Sequence, residues 1–71
     1  MNIEERRRRL GENIKRERVK RGISQRSFAK MVGVSQAYLS LVESDDKNVG
    51  FNNLCKIADG LGVTIGELAD Q

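Results

Sequence analysis

The stretch Ile23–Ser44, ISQRSFAKMVGVSQAYLSLVES, decides the fold of this chain. Read at helical spacing, Phe28, Ala29 and Val32 form one apolar face. Ser24 opens that segment with a hydroxyl suited to capping a helix N-terminus, and Gly33 closes it. Ser35 offers a second N-cap, after which Leu39 and Val42 point inward in a helix that runs to about Ser44. At about 100° per residue, Gln36, Ala37, Ser40 and Ser44 share the opposite side. That side is polar yet carries no charge, whereas a helix face that only meets water usually carries Lys or Glu. Two short helices joined by a tight glycine-containing turn are the sequence form of a helix-turn-helix.

Working outward, the segment before it predicts a helix from about Ile3 to Arg21, stopped by Gly22. Its apolar stripe is Ile3, Leu10 and Ile14, with Arg7 and Arg18 on or beside it. An arginine facing a core needs a carboxylate partner, because an unpaired buried charge is costly. After the motif, Asp45–Gly50 reads as a polar loop. Phe51, Leu54, Cys55, Ala58 and Leu61 then give the i, i+3, i+4, i+7 stripe of an amphipathic helix, ended by Gly60 and Gly62. Thr64 and Glu67 have the spacing of a capping box for a last short helix that holds Ile65 and Leu68. Phe28, Phe51 and Cys55 are expected in the core and Tyr38 partly exposed. Without proline, and with seven glycines as punctuation, the sequence predicts an all-α fold of five short helices with no β-alternation of useful length.

Seventy-one residues make one domain, 1–71. A domain of this size buries only about 60% of its unfolded surface, so association with a second copy would stabilise it. Charge is unevenly spread. Residues 1–35 carry eleven Lys/Arg against four Asp/Glu, and residues 36–71 carry two against six. A basic half joined to an acidic half points to one face that meets a polyanion. The run Arg6-Arg7-Arg8-Arg9 reads more simply as a solvated helical face, because Glu4–Arg8, Glu5–Arg9 and Glu12–Arg16 are i, i+4 pairs in the favourable order. One cysteine permits no intrachain disulfide and fits a reducing cytoplasm. No apolar run approaches a membrane span, and no apolar signal segment opens the chain. Histidine is absent and no Cys/His cluster exists, so neither structural zinc nor any other metal site is expected. Without a histidine, a glycine-rich phosphate loop or a serine elbow, neither an enzyme nor a cofactor is expected, and no small-molecule ligand either.

The residues quoted first also carry a family resemblance. Ser24-Gln25, Ala29, Gly33, Val34-Ser35, Tyr38-Leu39-Ser40 and Glu43, in that order, resemble the helix-turn-helix of the phage-repressor and Cro-like (XRE-type) regulators. The likeness extends through LCKIADGLGVTIGELA and back through LGENIKRERVKRG, covering essentially the whole chain. KNVGFNNLCKIA is similar to the controller proteins of restriction-modification systems. Asp45 and Val49 replace the glycine and proline that many relatives carry, and Asp45, Asp46 and Gly50 depart from the usual controller residues.

That resemblance implies a compact five-helix domain of lambda-repressor type, with the helix-turn-helix at about 24–44 and a dimerisation region at about 51–70. It implies a sequence-specific transcription regulator that binds double-stranded DNA as a homodimer on a pseudo-palindromic operator, with RNA polymerase as a candidate protein partner. An antitoxin or adaptor-type interaction protein of the same fold is the alternative. Carried over, Gln36, Ala37 and Ser40 face base edges: glutamine can grip adenine, an alanine methyl suits thymine, and serine serves several bases. Gln25, Arg26, Ser35, Tyr38, Lys47 and Asn48 are the candidate phosphate contacts, which position without reading sequence. Arg18 and Glu43 match a structural ion pair, and Val63, Ile65 and Leu68 are the candidate dimer residues. The expected location is the cytoplasm of a bacterium or its phage, at the nucleoid.

Overall fold

The computed structural model describes residues 2–70. Five helices follow in order: α1 (Ile3–Lys20), α2 (Gln25–Val32), α3 (Gln36–Glu43), α4 (Phe51–Leu61) and α5 (Ile65–Ala69). Their starts are set locally. The Asn2, Ser24, Ser35 and Thr64 side chains accept from the backbone N–H three residues on, at 2.8–3.0 Å. Glu67 answers Thr64 by accepting its N–H at 3.0 Å, which completes the capping box. Only α4, entered from Gly50, lacks a side-chain cap.

Four helices are followed by a left-handed residue: Gly22, Gly33, Asp45 and Gly62, with φ between 67° and 83°. After α3 the Asp45 N–H reaches the Val42 carbonyl and the Asp46 N–H the Leu41 carbonyl, so the carbonyls at the helix end are satisfied. Asp45 thus occupies a conformation that costs an ordinary side chain and that glycine adopts freely.

The core gathers Ile14 from α1, Phe28 and Ala29 from α2, Leu39 and Val42 from α3, Ile57, Ala58 and Leu61 from α4, and Leu68 from α5. Helix α1 is the spine against which α3, α4 and α5 pack, and α2 lies on α3 and α4. Val32 is only partly buried at its edge.

Several expectations change here. Ile3 is 79% exposed rather than part of the α1 stripe, because that end of α1 borders an open groove of about 650 Å³ beside Val49 and Ala69. Phe51 is 71% exposed, since the α4 stripe in fact begins one turn later and runs Leu54, Ile57, Ala58, Leu61. Ile57, unremarked in the sequence, is fully buried, and Cys55 is half-buried at the edge.

Nor are all the glycines punctuation. Gly60 lies inside α4, where a Cβ would stand 2.4 Å from a Val32 methyl and 3.2 Å from the Phe28 ring. Gly11 lies inside α1, where a Cβ would stand 2.4 Å from the Val42 carbonyl oxygen. Both glycines let neighbouring helices approach closely.

Candidate nucleic-acid interface

Where α3 leaves the core, its outer side is set by the inward pull of Leu39 and Val42. Gln36, Ala37, Ser40 and Ser44 are all exposed together on that side, as the helical spacing requires. The Ser44 hydroxyl turns back to the Ser40 carbonyl at 2.9 Å and meets the Asp46 carboxylate at 3.0 Å. Gln36, Ala37 and Ser40 face outward.

The position of α3 is fixed by a buried ion pair. Arg18 of α1 donates from Nε and Nη2 to the two carboxylate oxygens of Glu43, at 2.8 and 2.9 Å, and from Nη1 to the Ile23 carbonyl at 2.8 Å. The hydrogen bonds to Glu43 push the Arg18 pKa above the ordinary arginine value. Gln25, at the head of α2, donates its amide to the same Glu43 oxygen at 3.1 Å. One carboxylate therefore joins α1, α2 and α3, so the pairing read from sequence is present. Gln25, a candidate phosphate contact by sequence, also serves this junction. One of its amide hydrogens is engaged here and the other remains for an external acceptor.

On the far side of α3 the loop to α4 folds back on Tyr38. The Tyr38 hydroxyl accepts the Gly50 N–H at 3.2 Å, and the Lys47 ammonium sits 5.9 Å from its ring centroid, within cation–π range. Arg7 of α1 clasps the same loop. Its Nε donates to Asp45 at 2.7 Å and its Nη1 to the Asn48 side-chain oxygen at 3.1 Å. The hydrogen bond to Asp45 and its charge raise the Arg7 pKa. With its oxygen held, Asn48 has its NH2 donors left to offer. Lys47 and Asn48 are exposed, as are Arg26 and Ser35.

A further cation belongs to this surface. Lys15 of α1 lines a small groove with Gln25, Ser40, Glu43 and Ser44, on the edge of α3 opposite Tyr38. The sequence carried one signal for it: Lys15 lies three residues before Arg18, hence on the α1 face that meets α3.

The α4–α5 residues divide. Val63 and Ile65 are half-buried, but Leu68 has no exposed surface, so it completes the monomer core and presents nothing to a partner. Asn13 secures it there by donating to the Leu68 carbonyl at 2.7 Å, and Arg16 in turn donates to the Asn13 oxygen. The basic run of α1 also differs in detail, with Arg8 reaching forward to Glu12 at 3.9 Å. No helix among the described residues is long and apolar enough to cross a membrane.

Known proteins resemble this chain in sequence and in fold. The chain is 41% identical over 61 residues to the control protein C.MunI of a Mycoplasma species, a match that covers 84% of this chain and 82% of that protein. Among solved structures, the restriction-modification controller protein C.AhdI of Aeromonas hydrophila superposes with a TM-score of 0.83 at 30% identity, over 86% of this chain and 92% of that one. The hypothetical transcription factor NHTF from Neisseria superposes with a TM-score of 0.85 at 33% identity, over 97% of this chain and 80% of that one. The sequence model of the helix-turn-helix family HTH_3 matches residues 14–68, so the chain belongs to that XRE-type family of DNA-binding transcription regulators, which is not a family of enzymes.

Proposed function

We propose that this chain is a homodimeric, cytoplasmic regulator of the restriction-modification controller kind, reading a pseudo-palindromic operator through the major groove. The observation that carries the reading is the uncharged outer side of α3, bordered by Lys15 on one edge and by Lys47 on the other. In this proposal Gln36, Ala37 and Ser40 meet base edges, where glutamine supplies a donor–acceptor pair for adenine. Arg26, Lys15, Lys47, Asn48, Ser35, the Tyr38 hydroxyl and the free amide hydrogen of Gln25 hold phosphates on either side. The open N–H groups at the head of α2 add to them. No arginine lies on the reading side of α3, so part of the selectivity falls to DNA shape and deformability. The controller role rests on the likeness to C.MunI and C.AhdI, both so named, and on the large share of each that this chain spans.

Selection of bound duplexes from a random pool tests the proposal. The expected product is a palindrome with half-sites about 34–36 Å apart. On it Gln36→Ala should cost about 1–3 kcal/mol and relax one base pair per half-site. Arg26→Ala and Lys15→Ala should instead weaken all sequences alike and reduce the salt slope by about one each. A selected pool with no shared motif, or a Gln36→Ala loss equal on random DNA, would overturn base reading by α3.

A further inference from the structure

Helix α3 presents an apolar strip as well as a polar one. Among the described residues, Leu41 is the one large apolar side chain of α3 left exposed, at 41%. It stands one helical turn after Ala37, also exposed, so the two are surface neighbours. A lone exposed leucine calls for no explanation, but the position of this one does. At 100° per residue the outer arc of α3 runs Gln36, Ser40, Ser44, Ala37, Leu41 and then Tyr38. The first edge meets Lys15, and the last meets the loop whose Lys47 covers the Tyr38 ring. Cations at both edges place Leu41 inside the span that two phosphate backbones would bracket.

The apolar feature that a major groove offers is the C5-methyl group of a pyrimidine. Resting on the DNA reading above, we propose that Leu41, with Ala37, forms a methyl-reading edge that takes the C5-methyl of thymine or of 5-methylcytosine. The reading surface is then divided, with hydrogen-bonding groups on the Gln36–Ser40 side and a methyl pocket on the Ala37–Leu41 side. Unmethylated cytosine is disfavoured there because it brings an amino donor with no methyl group beside it, and leucine has no acceptor to give it.

The test uses the full chain and the operator selected from a random pool. Each thymine of a half-site is replaced in turn by deoxyuridine, which removes only the methyl group. At one position the affinity should fall about fourfold per half-site, the worth of one buried methyl. With Leu41→Ala that fall should shrink below twofold, and with Leu41→Met it should return. Leu41 is exposed and alanine is the stronger helix former, so Leu41→Ala keeps the fold, which its helical circular dichroism checks. Placing C·G and then 5-methylcytosine·G at the same position separates the two sources of the methyl. A gain of about fourfold on methylation supports methyl reading whatever the base, whereas a preference confined to T·A assigns the contact to thymine. An operator indifferent to deoxyuridine, or a loss unchanged in Leu41→Ala, overturns the methyl edge alone. A chain that selects no sequence overturns the DNA reading and the methyl edge with it.

Discussion

Arg18 and Glu43 show how much one residue decides in this protein. The two side chains are nearly closed off from water and meet through two parallel hydrogen bonds. Arg18→Ala would leave the Glu43 carboxylate buried with only the Gln25 amide to answer it, a change that typically costs about 3–5 kcal/mol. Urea unfolding should show a loss of that order, while a loss below about 1 kcal/mol would mean a pair that behaves as solvated. Because the Arg18 and Arg7 pKa values are raised on folding, their contribution is complete below the ordinary arginine value. It is lost only as pH climbs through the folded values, so the arginine side of both pairs is flat across neutral pH. The glycines divide at the same scale. Gly11→Ala should destabilise by about 1–3 kcal/mol, since the backbone carbonyl it would meet cannot step aside as a flexible side chain would. Gly66→Ala meets nothing nearer than the Thr64 hydroxyl at 3.8 Å and should raise stability by up to about 1 kcal/mol through helix propensity. Thermal melts of the two variants should move in opposite directions.

Among the elements, the α3–α4 loop depends most on a distant part of the chain. Its first residue, Asp45, holds a left-handed conformation that glycine would adopt without cost, and its carboxylate is gripped by Arg7 from α1. The same guanidinium fixes the Asn48 amide, and Tyr38 anchors the loop's far end at Gly50. Arg7→Ala should therefore loosen the loop without unfolding the helices. Hydrogen exchange should quicken at the Asp46 and Gly50 amides while those of α1 and α4 keep their protection. If Lys47 and Asn48 hold phosphates as proposed, DNA affinity should fall alike on all sequences. Unchanged exchange would show that Tyr38 holds the loop alone. The helix starts, by contrast, were legible residue by residue. Ser24, Ser35 and the Thr64–Glu67 box act within three positions of the chain, and local chemistry needs no tertiary context.

For the molecule as a whole, the question is how two copies would meet. A Leu68→Glu substitution would bury a charge in the core and unfold the monomer, so it reports nothing about an interface. Ile65, half-buried on α5, is the better probe. If α4 and α5 carry the proposed dimer contact, Ile65→Glu should sediment as a monomer with its helical circular dichroism retained, and its operator affinity should drop. A folded variant that remains dimeric would move the contact elsewhere. Phe51→Glu, at a residue 71% exposed, extends the same measurement to the head of α4 at little risk to the fold.

By itself the sequence determined the helix-turn-helix, the capping of its helices, the outward set of Gln36, Ala37 and Ser40, and the need of Arg18 for a carboxylate. Each follows from periodicity or from interactions across a few residues. The tertiary structure alone decided that Ile3 and Phe51 stay in water, that Ile57 and Leu68 fill the core, and that Gly11 and Gly60 are contact points. It likewise brought Lys15 to α3 and Arg7 to Asp45. The physical reason is common to all of these. A repeat pattern tells which face of a helix is apolar, but how far along its length that face is covered depends on where neighbouring helices begin and end in space.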